Sequence, residues 1–150
     1  EFPHAPNLVN NGTGTNYGIE FTLEKFYSEG YYGLITASFY DSKYIASDQI
    51  ERPTAFNNRY IFNVIGGKEI KLGKKKSKSL ILSGKMTRAG GRYYTPIDVE
   101  ASILAGEEVR DHRLAFSERY PDYFRLDLQI GFRQNGKKIS QYCALDLLNT

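Results

Sequence analysis

A single cysteine, Cys143, leaves no internal disulfide available to staple the chain. It lies in an apolar stretch and reads as a small buried or lipid-facing side chain. With only His4 and His112 beside it, a zinc site of several Cys or His ligands is excluded, and no metal or other cofactor is expected. No run of about 18 apolar residues exists to make a transmembrane helix. No basic, apolar leader opens the chain. Enzyme signatures are missing too: there is no GxSxG, HExxH or Walker loop, and the carboxylate pair Glu107 and Glu108 lies in a polar connection with no evident pocket. An enzyme is therefore not expected. The formal charge is only +3, and much of the excess comes from one run, KLGKKKSKS (71–79). A broad nucleic-acid surface is not implied. On a hairpin turn such a run is a solvated tip, or a place to meet anionic lipid headgroups.

What the chain does hold is aromatic and strand-forming. Of 150 residues 41% are hydrophobic, too many for disorder and enough for one domain. Twelve Tyr and nine Phe, with Ile and Thr, favour strands. The glycines of NNGTGTNYGIEFTLEKF (10–26) invite a phosphate-loop reading. Their spacing is G-x-G-x-x-x-G, and they precede a strand pattern, whereas a dinucleotide loop follows a strand and opens a helix. In TNYGIEFTLEKF, Tyr17, Ile19, Phe21 and Leu23 alternate with Gly18, Glu20, Thr22 and Glu24, the period of a strand with one apolar face.

Five further strands follow. YYGLITASFY covers 31–40, and a long polar loop is expected from Asp41 to Asn58. RYIFNVIGGKEIKL (59–72) carries Gly66-Gly67, a bulge or thin spot. SLILSGKMTRA (79–89) precedes a second long connection, 90–122, in which ASILAGEEVRD has helical character. YFRLDLQIGFRQ (123–134) alternates most clearly. Asn135-Gly136 then signals a hairpin, and ISQYCALDLL (139–148) is the sixth strand. The sequence thus predicts an all-β, antiparallel up-and-down meander of about six strands. Connections alternate short, long, short, long, short, which puts all long loops at one end of the sheet. Outer-membrane barrels have this asymmetry. Tyr27, Tyr31 and Tyr32 cluster at the short-turn end and Tyr40, Tyr44, Tyr60 and Tyr123 at the other, as two interfacial aromatic rings would. A soluble sandwich or small barrel, binding a small apolar ligand, satisfies the same alternation.

An ordered series extends the pattern: FPHAPNLVNNGTGTNYGIEFTLEKF, GYYGLITASFYDSKY, RYIFNVIGGKEIKLGKKK, AGGRYYTPIDVEAS and ERYPDYFRLDLQIGFRQN. Over nearly the whole chain this series resembles the C-terminal part of the barrel of TonB-dependent outer-membrane receptors, those of Bacteroidetes in particular. The resemblance implies that 1–150 is a partial segment of a transmembrane β-barrel, without signal peptide, plug or final strand. It implies location in the bacterial outer membrane and a share in the active import of a nutrient such as a siderophore, glycan or peptide. Implied partners are outer-membrane lipid, the imported ligand, the receptor's own plug domain, TonB acting through regions outside this chain, and a surface lipoprotein; nucleic acid is not among them.

On that reading Ile19, Phe21, Leu23, Ile35, Phe39, Leu82, Phe124, Leu126, Leu128 and Ile130 face lipid. Glu20, Glu24, Lys85, Arg125, Asp127 and Gln129 face the lumen, with Thr36, Ser38 and Asp146. They serve there as solvated wall or as a grip on the plug. In the long loops, Arg92, Tyr93, Tyr94, His112 and Arg113 are candidate ligand contacts, or parts of a lid that touches no ligand.

Overall fold

The computed structural model describes residues 11–75 and 77–149. His4 and Lys76 of the basic run lie outside the described residues. The strands are β1 (Thr13–Ser28), β2 (Tyr31–Ile45), β3 (Glu51–Pro53), β4 (Tyr60–Leu72), β5 (Lys78–Ala89), β6 (Tyr93–Tyr94), β7 (Glu118–Arg119), β8 (Tyr123–Asn135) and β9 (Ser140–Leu147). One short helix, α1 (Val99–Ala105), and a 3-10 turn, His112–Leu114, complete the elements. Six long strands lie in the order β1-β2-β4-β5-β8-β9, and β3 pairs with β2; β6 and β7 pair separately. The fold is the expected all-β antiparallel meander, and the sheet is open.

Local chemistry sets the turns. Between β1 and β2 the two loop residues Glu29 and Gly30 have φ of 54° and 82°. Two consecutive left-handed residues match the twist of a tight hairpin. A Cβ on Gly30 would sit 2.8 Å from the Glu69 carbonyl oxygen, so the position also needs the absence of a side chain. The β8–β9 hairpin forms where Asn135-Gly136 signalled one, but Asn135 still pairs with Ser140, leaving a four-residue loop, 136–139, in place of a two-residue turn. Asp98 caps α1, accepting from the Ala101 N–H, and Gly106, at φ 71°, ends it.

One local expectation is corrected and another is narrowed to one of its two alternatives. The loop expected from Asp41 is strand as far as Ile45, and Lys43, Tyr44 and Ile45 pair with Pro53, Arg52 and Glu51 of β3. Gly66-Gly67 is no bulge: the β4–β5 register runs unbroken from Ile61↔Ala89 to Leu72↔Lys78. Instead Gly33, Gly66 and Gly84 stand side by side across three strands, a thin row in the sheet.

The chain divides into two compact units. The first, here the wall, comprises 19–39, 60–90 and 122–149. Its register fixes two opposite faces. One row runs Ile35, Val64, Met86, Leu126, and another Leu82, Ile130, Leu145. These alternate with rows such as Thr36, Asn63, Thr87, Arg125 and Ser83, Gln129, Asp146. The first face is apolar and the second polar. Nothing covers the apolar one among the described residues: Ile19 is 70% exposed, Phe124 54% and Ile130 49%. Among the described residues the only buried hydrophobic one is Ala89, and they form no hydrophobic core. Tyr31 and Tyr60 lie on the apolar face, but Tyr32 and Tyr123 alternate onto the polar one, so the rim tyrosines divide between the faces.

The second unit comprises 11–18, 40–59 and 91–121 and holds most of the two long connections. Its strands β6 and β7 pair through Tyr93↔Arg119 and Tyr94↔Glu118. Gly91 is buried beside them, and the Tyr120 N–H donates to the Arg92 carbonyl at 2.9 Å. A Cβ on Gly91 would fall 1.7 Å from the Tyr120 carbonyl oxygen, which is backbone and cannot swing aside. Gly91→Ala is therefore expected to cost about 3 kcal/mol. Limited proteolysis should show 91–121 cut much faster than in the parent chain, while Gly106→Ala, with nothing within 4 Å of its Cβ, bears only the cost of its left-handed φ.

Candidate functional site

Two surfaces carry the predicted residues, and each is built differently. On the polar face of the wall, side chains in register join strand to strand. The Asn63 amide donates to the Thr36 hydroxyl at 3.2 Å, and the Thr87 hydroxyl donates to Asn63 Oδ1 at 2.9 Å, a rung across three strands. A second rung runs from the Ser83 hydroxyl to Gln129 Oε1 at 3.2 Å and from Gln129 Nε2 to Asp146 Oδ1 at 2.6 Å. The Ser38 hydroxyl donates to Glu20 at 3.0 Å. Arg125 and Asp127, two apart on β8, pair through Nε and both carboxylate oxygens at 2.9 Å.

Lys85 stands opposite Asp127, between these rungs. Tyr32, Ser83, Lys85, Asp127, Gln129 and Asp146 line a shallow depression of about 220 Å³. Glu20, Lys85, Arg125, Asp127 and Gln129 thus share one face, as their spacing implied. Glu24, four residues from Glu20, alternates onto it as well. Such a face binds water and polar groups. It assembles no metal centre: no group of three or more His, Cys, Asp or Glu is placed to hold an ion among the described residues.

In the second unit the candidate residues separate. Tyr93 packs between two guanidinium groups, with Arg59 5.8 Å and Arg119 6.0 Å from its ring centre. Tyr94 stacks on Tyr120 at 4.3 Å. Both are half-buried, and their faces are occupied by the unit's own side chains. Arg92 is exposed and lies over the Phe56 ring at 5.9 Å. His112 and Arg113 are exposed on the 3-10 turn. Arg113 is held by its neighbour Asp111 through two hydrogen bonds of 2.9 Å. Arg92, His112 and Arg113 present free surface; Tyr93 and Tyr94 build the scaffold behind it.

Sequence reading missed the polar centre of this unit. Asn57 is 1% exposed, and its amide donates to Asp41 Oδ1 at 2.7 Å. Its own Oδ1 is buried without a partner. Asp41 also accepts from Tyr17 at 3.3 Å and lies 3.6 Å from the Lys43 ammonium, which pairs with Glu51 at 2.9 Å. Arg52, nearly buried, pairs with Asp48 at 2.7 Å. An Asn in a polar stretch gives no sequence signal of burial. The only hint was the alternation of Asp41 and Lys43 with Ser42 and Tyr44, which continues the strand.

Asn57→Ala is expected to destabilise this unit by about 1–3 kcal/mol, because it removes a buried donor from a carboxylate. Hydrogen exchange at 40–59 should report the loss, with 122–149 unchanged. The pH response has a definite sign. Backbone donation from Ile50 and the Arg52 guanidinium hold the Asp48 carboxyl below its usual range. The Arg113 guanidinium does the same for Asp111. A depressed carboxyl contributes order above its unfolded value, about 3.9. That order is lost as pH falls through the lower, folded value. Protease sensitivity of both segments should therefore rise below about pH 4, and Asp111→Asn should remove the response at 111–114 alone. Compared with protein-family models, curated proteins and solved structures, the chain gives no match.

Proposed function

We propose that the chain is a wall segment of an outer-membrane β-barrel receptor, of the TonB-dependent kind its ordered motifs resemble, and that it takes part in nutrient import. It performs no reaction of its own in this reading. Lipid bathes the apolar face, and the polar rungs line the lumen. The long connections face outside the cell, where Arg92, His112 and Arg113 are the residues offered to an incoming ligand.

One observation carries the reading: a folded sheet with one face that is mainly apolar and left uncovered among the described residues. From Phe124 to Phe132 five alternating apolar residues of β8 span eight steps. At about 3.3 Å per residue that is roughly 26 Å along the strand, or roughly 20 Å of height at a tilt of about 35–45°, against about 25 Å for the apolar band of such barrels. Backbone groups suit the same setting, since strand ladders satisfy N–H and C=O groups internally, as lipid requires. β1 and β9 each pair on one side only. Closure into a barrel therefore takes further strands, and energy and specificity belong to the whole receptor. A soluble module for an apolar ligand would instead fold its apolar face inward, around that ligand.

The test is membrane recovery of the parent protein with one substitution on each face. Leu128→Arg lies near the middle of the apolar band and is expected to cost about 2–4 kcal/mol of membrane stability. Gln129→Arg, one residue away on the wet face, should leave insertion almost unchanged. The readout is heat-modifiable migration of the outer-membrane fraction. Recovery of the unaltered parent in the soluble periplasm, or equal tolerance of both substitutions, defeats the proposal.

A further inference from the structure

The basic run and the β8–β9 turn belong to one surface. β5 and β8 are neighbours throughout, from Lys78↔Gln134 to Ala89↔Tyr123. The Asn135 N–H donates to the Ser77 carbonyl at 2.7 Å, tying the loop after β4 to the loop after β8. Lys74, Lys75 and Lys78 on the first and Lys137 and Lys138 on the second are all exposed. Among the described residues no ion pair engages any of these five. The acid nearest in the sheet, Glu69, already accepts from Tyr27 at 2.7 Å and lies 3.8 Å from Arg133.

What surrounds these lysines decides their partner. The apolar face ends here with Ile70, Leu72 and Phe132, and Ile139, in the turn itself, is 73% exposed. A solvated tip has no need of an exposed isoleucine between two lysines and a strand. Nor does this edge build a cradle for a free phosphate, which would need converging backbone donors. Ammonium groups on long apolar stems, directly beyond an apolar band, are placed for the headgroup layer of a bilayer. Unpaired cations favour anionic headgroups in that layer.

We propose that the turns after β4 and β8 form a basic rim that docks on anionic phospholipid headgroups at the short-turn end of the wall. The proposal rests on the barrel-wall reading for the bilayer that meets the apolar face. The charge selectivity is a separate property. A lysine rim fixes how deep the wall sits in the bilayer and makes that depth depend on lipid charge and ionic strength.

The experiment is flotation of the full 150-residue chain, refolded from denaturant in the presence of vesicles. One set is phosphatidylcholine alone, and the other contains phosphatidylglycerol. Binding to both is expected, about tenfold or more tighter to the anionic set, with the difference collapsing in high salt. Changing the five lysines together to glutamine should abolish the preference while binding to phosphatidylcholine persists. Changing them to arginine should retain the preference, which separates charge from local folding. Equal binding to both vesicles, or a preference that survives the glutamine changes, overturns the rim and leaves the wall reading standing. Salt-reversible binding to anionic vesicles alone supports the rim and overturns the wall. Binding to neither overturns both.

Discussion

The structure depends on a sheet that satisfies its backbone and leaves its apolar side chains unsatisfied. Every long strand from β2 to β8 is paired on both sides, so ladder hydrogen bonds hold the wall without help from a core. Among the described residues no second layer packs over the side chains of one face. In water that face would be an aggregation surface far larger than soluble monomers tolerate. The arrangement asks for an apolar cover over that face, which lipid supplies in the proposed reading. It also explains why cross-strand contacts bear so much: Phe39 meets Phe62 edge-on at 5.2 Å, and Tyr60 meets Phe62 at 5.4 Å, inside the apolar face and not beneath it.

The polar face answers a different need. Its rungs pair donors with acceptors strand by strand, so hydrogen-bonding side chains on that face are largely joined to one another. Two of its glycines sit under aromatic rings. A Cβ at Gly67 would meet the Tyr32 ring at 2.6 Å, and one at Gly131 the Tyr142 hydroxyl at 2.6 Å and its ring at 2.8 Å. A tyrosine laid over a glycine restores the contact that the missing side chain gives up and pins register between neighbouring strands. Tyr32 came from the group expected to ring the bilayer, and the pleat lays it over Gly67 instead. Lys68 is the counter-case on the apolar face, with Tyr31 and Leu82 as register partners. Its stem can lie along the apolar surface and carry the ammonium toward the short-turn end.

The unit formed by the long connections solves the missing core in another way. Guanidinium groups lie near an aromatic ring, as Arg59 and Arg119 do about Tyr93, and a buried amide binds a carboxylate at Asn57 and Asp41. Such guanidinium groups keep their edges free for hydrogen bonds, and Arg119 donates to the Gly91 carbonyl at 3.0 Å while lying near Tyr93. Phe116 and Arg59 hold positive φ, a costly conformation for bulky residues, and Phe116 packs edge-on against Tyr44 at 6.2 Å.

How much was legible follows from which forces repeat along the chain. Period-2 alternation recurs over a dozen residues in β8, so its faces, and with them Lys85, Arg125, Asp127 and Gln129, could be read directly. It failed where polarity masks it. Residues 41–45 read as loop because Asp41, Ser42 and Lys43 are hydrophilic on both faces, yet they continue β2, and Lys43, Tyr44 and Ile45 pair with β3 as regularly as any apolar strand. The long connections were opaque because their contacts are non-local: Tyr93 needs Arg59, thirty-four positions earlier, and Asn57 needs Asp41. No local spacing encodes such pairs. The same limit explains why the rim lysines read as one basic run. Only the register of β5 on β8 brings Lys137 and Lys138 beside Lys74 and Lys75. A pattern of charge along the sequence then becomes a surface with an apolar border, and that border, rather than the number of lysines, is what the proposed docking on headgroups rests on.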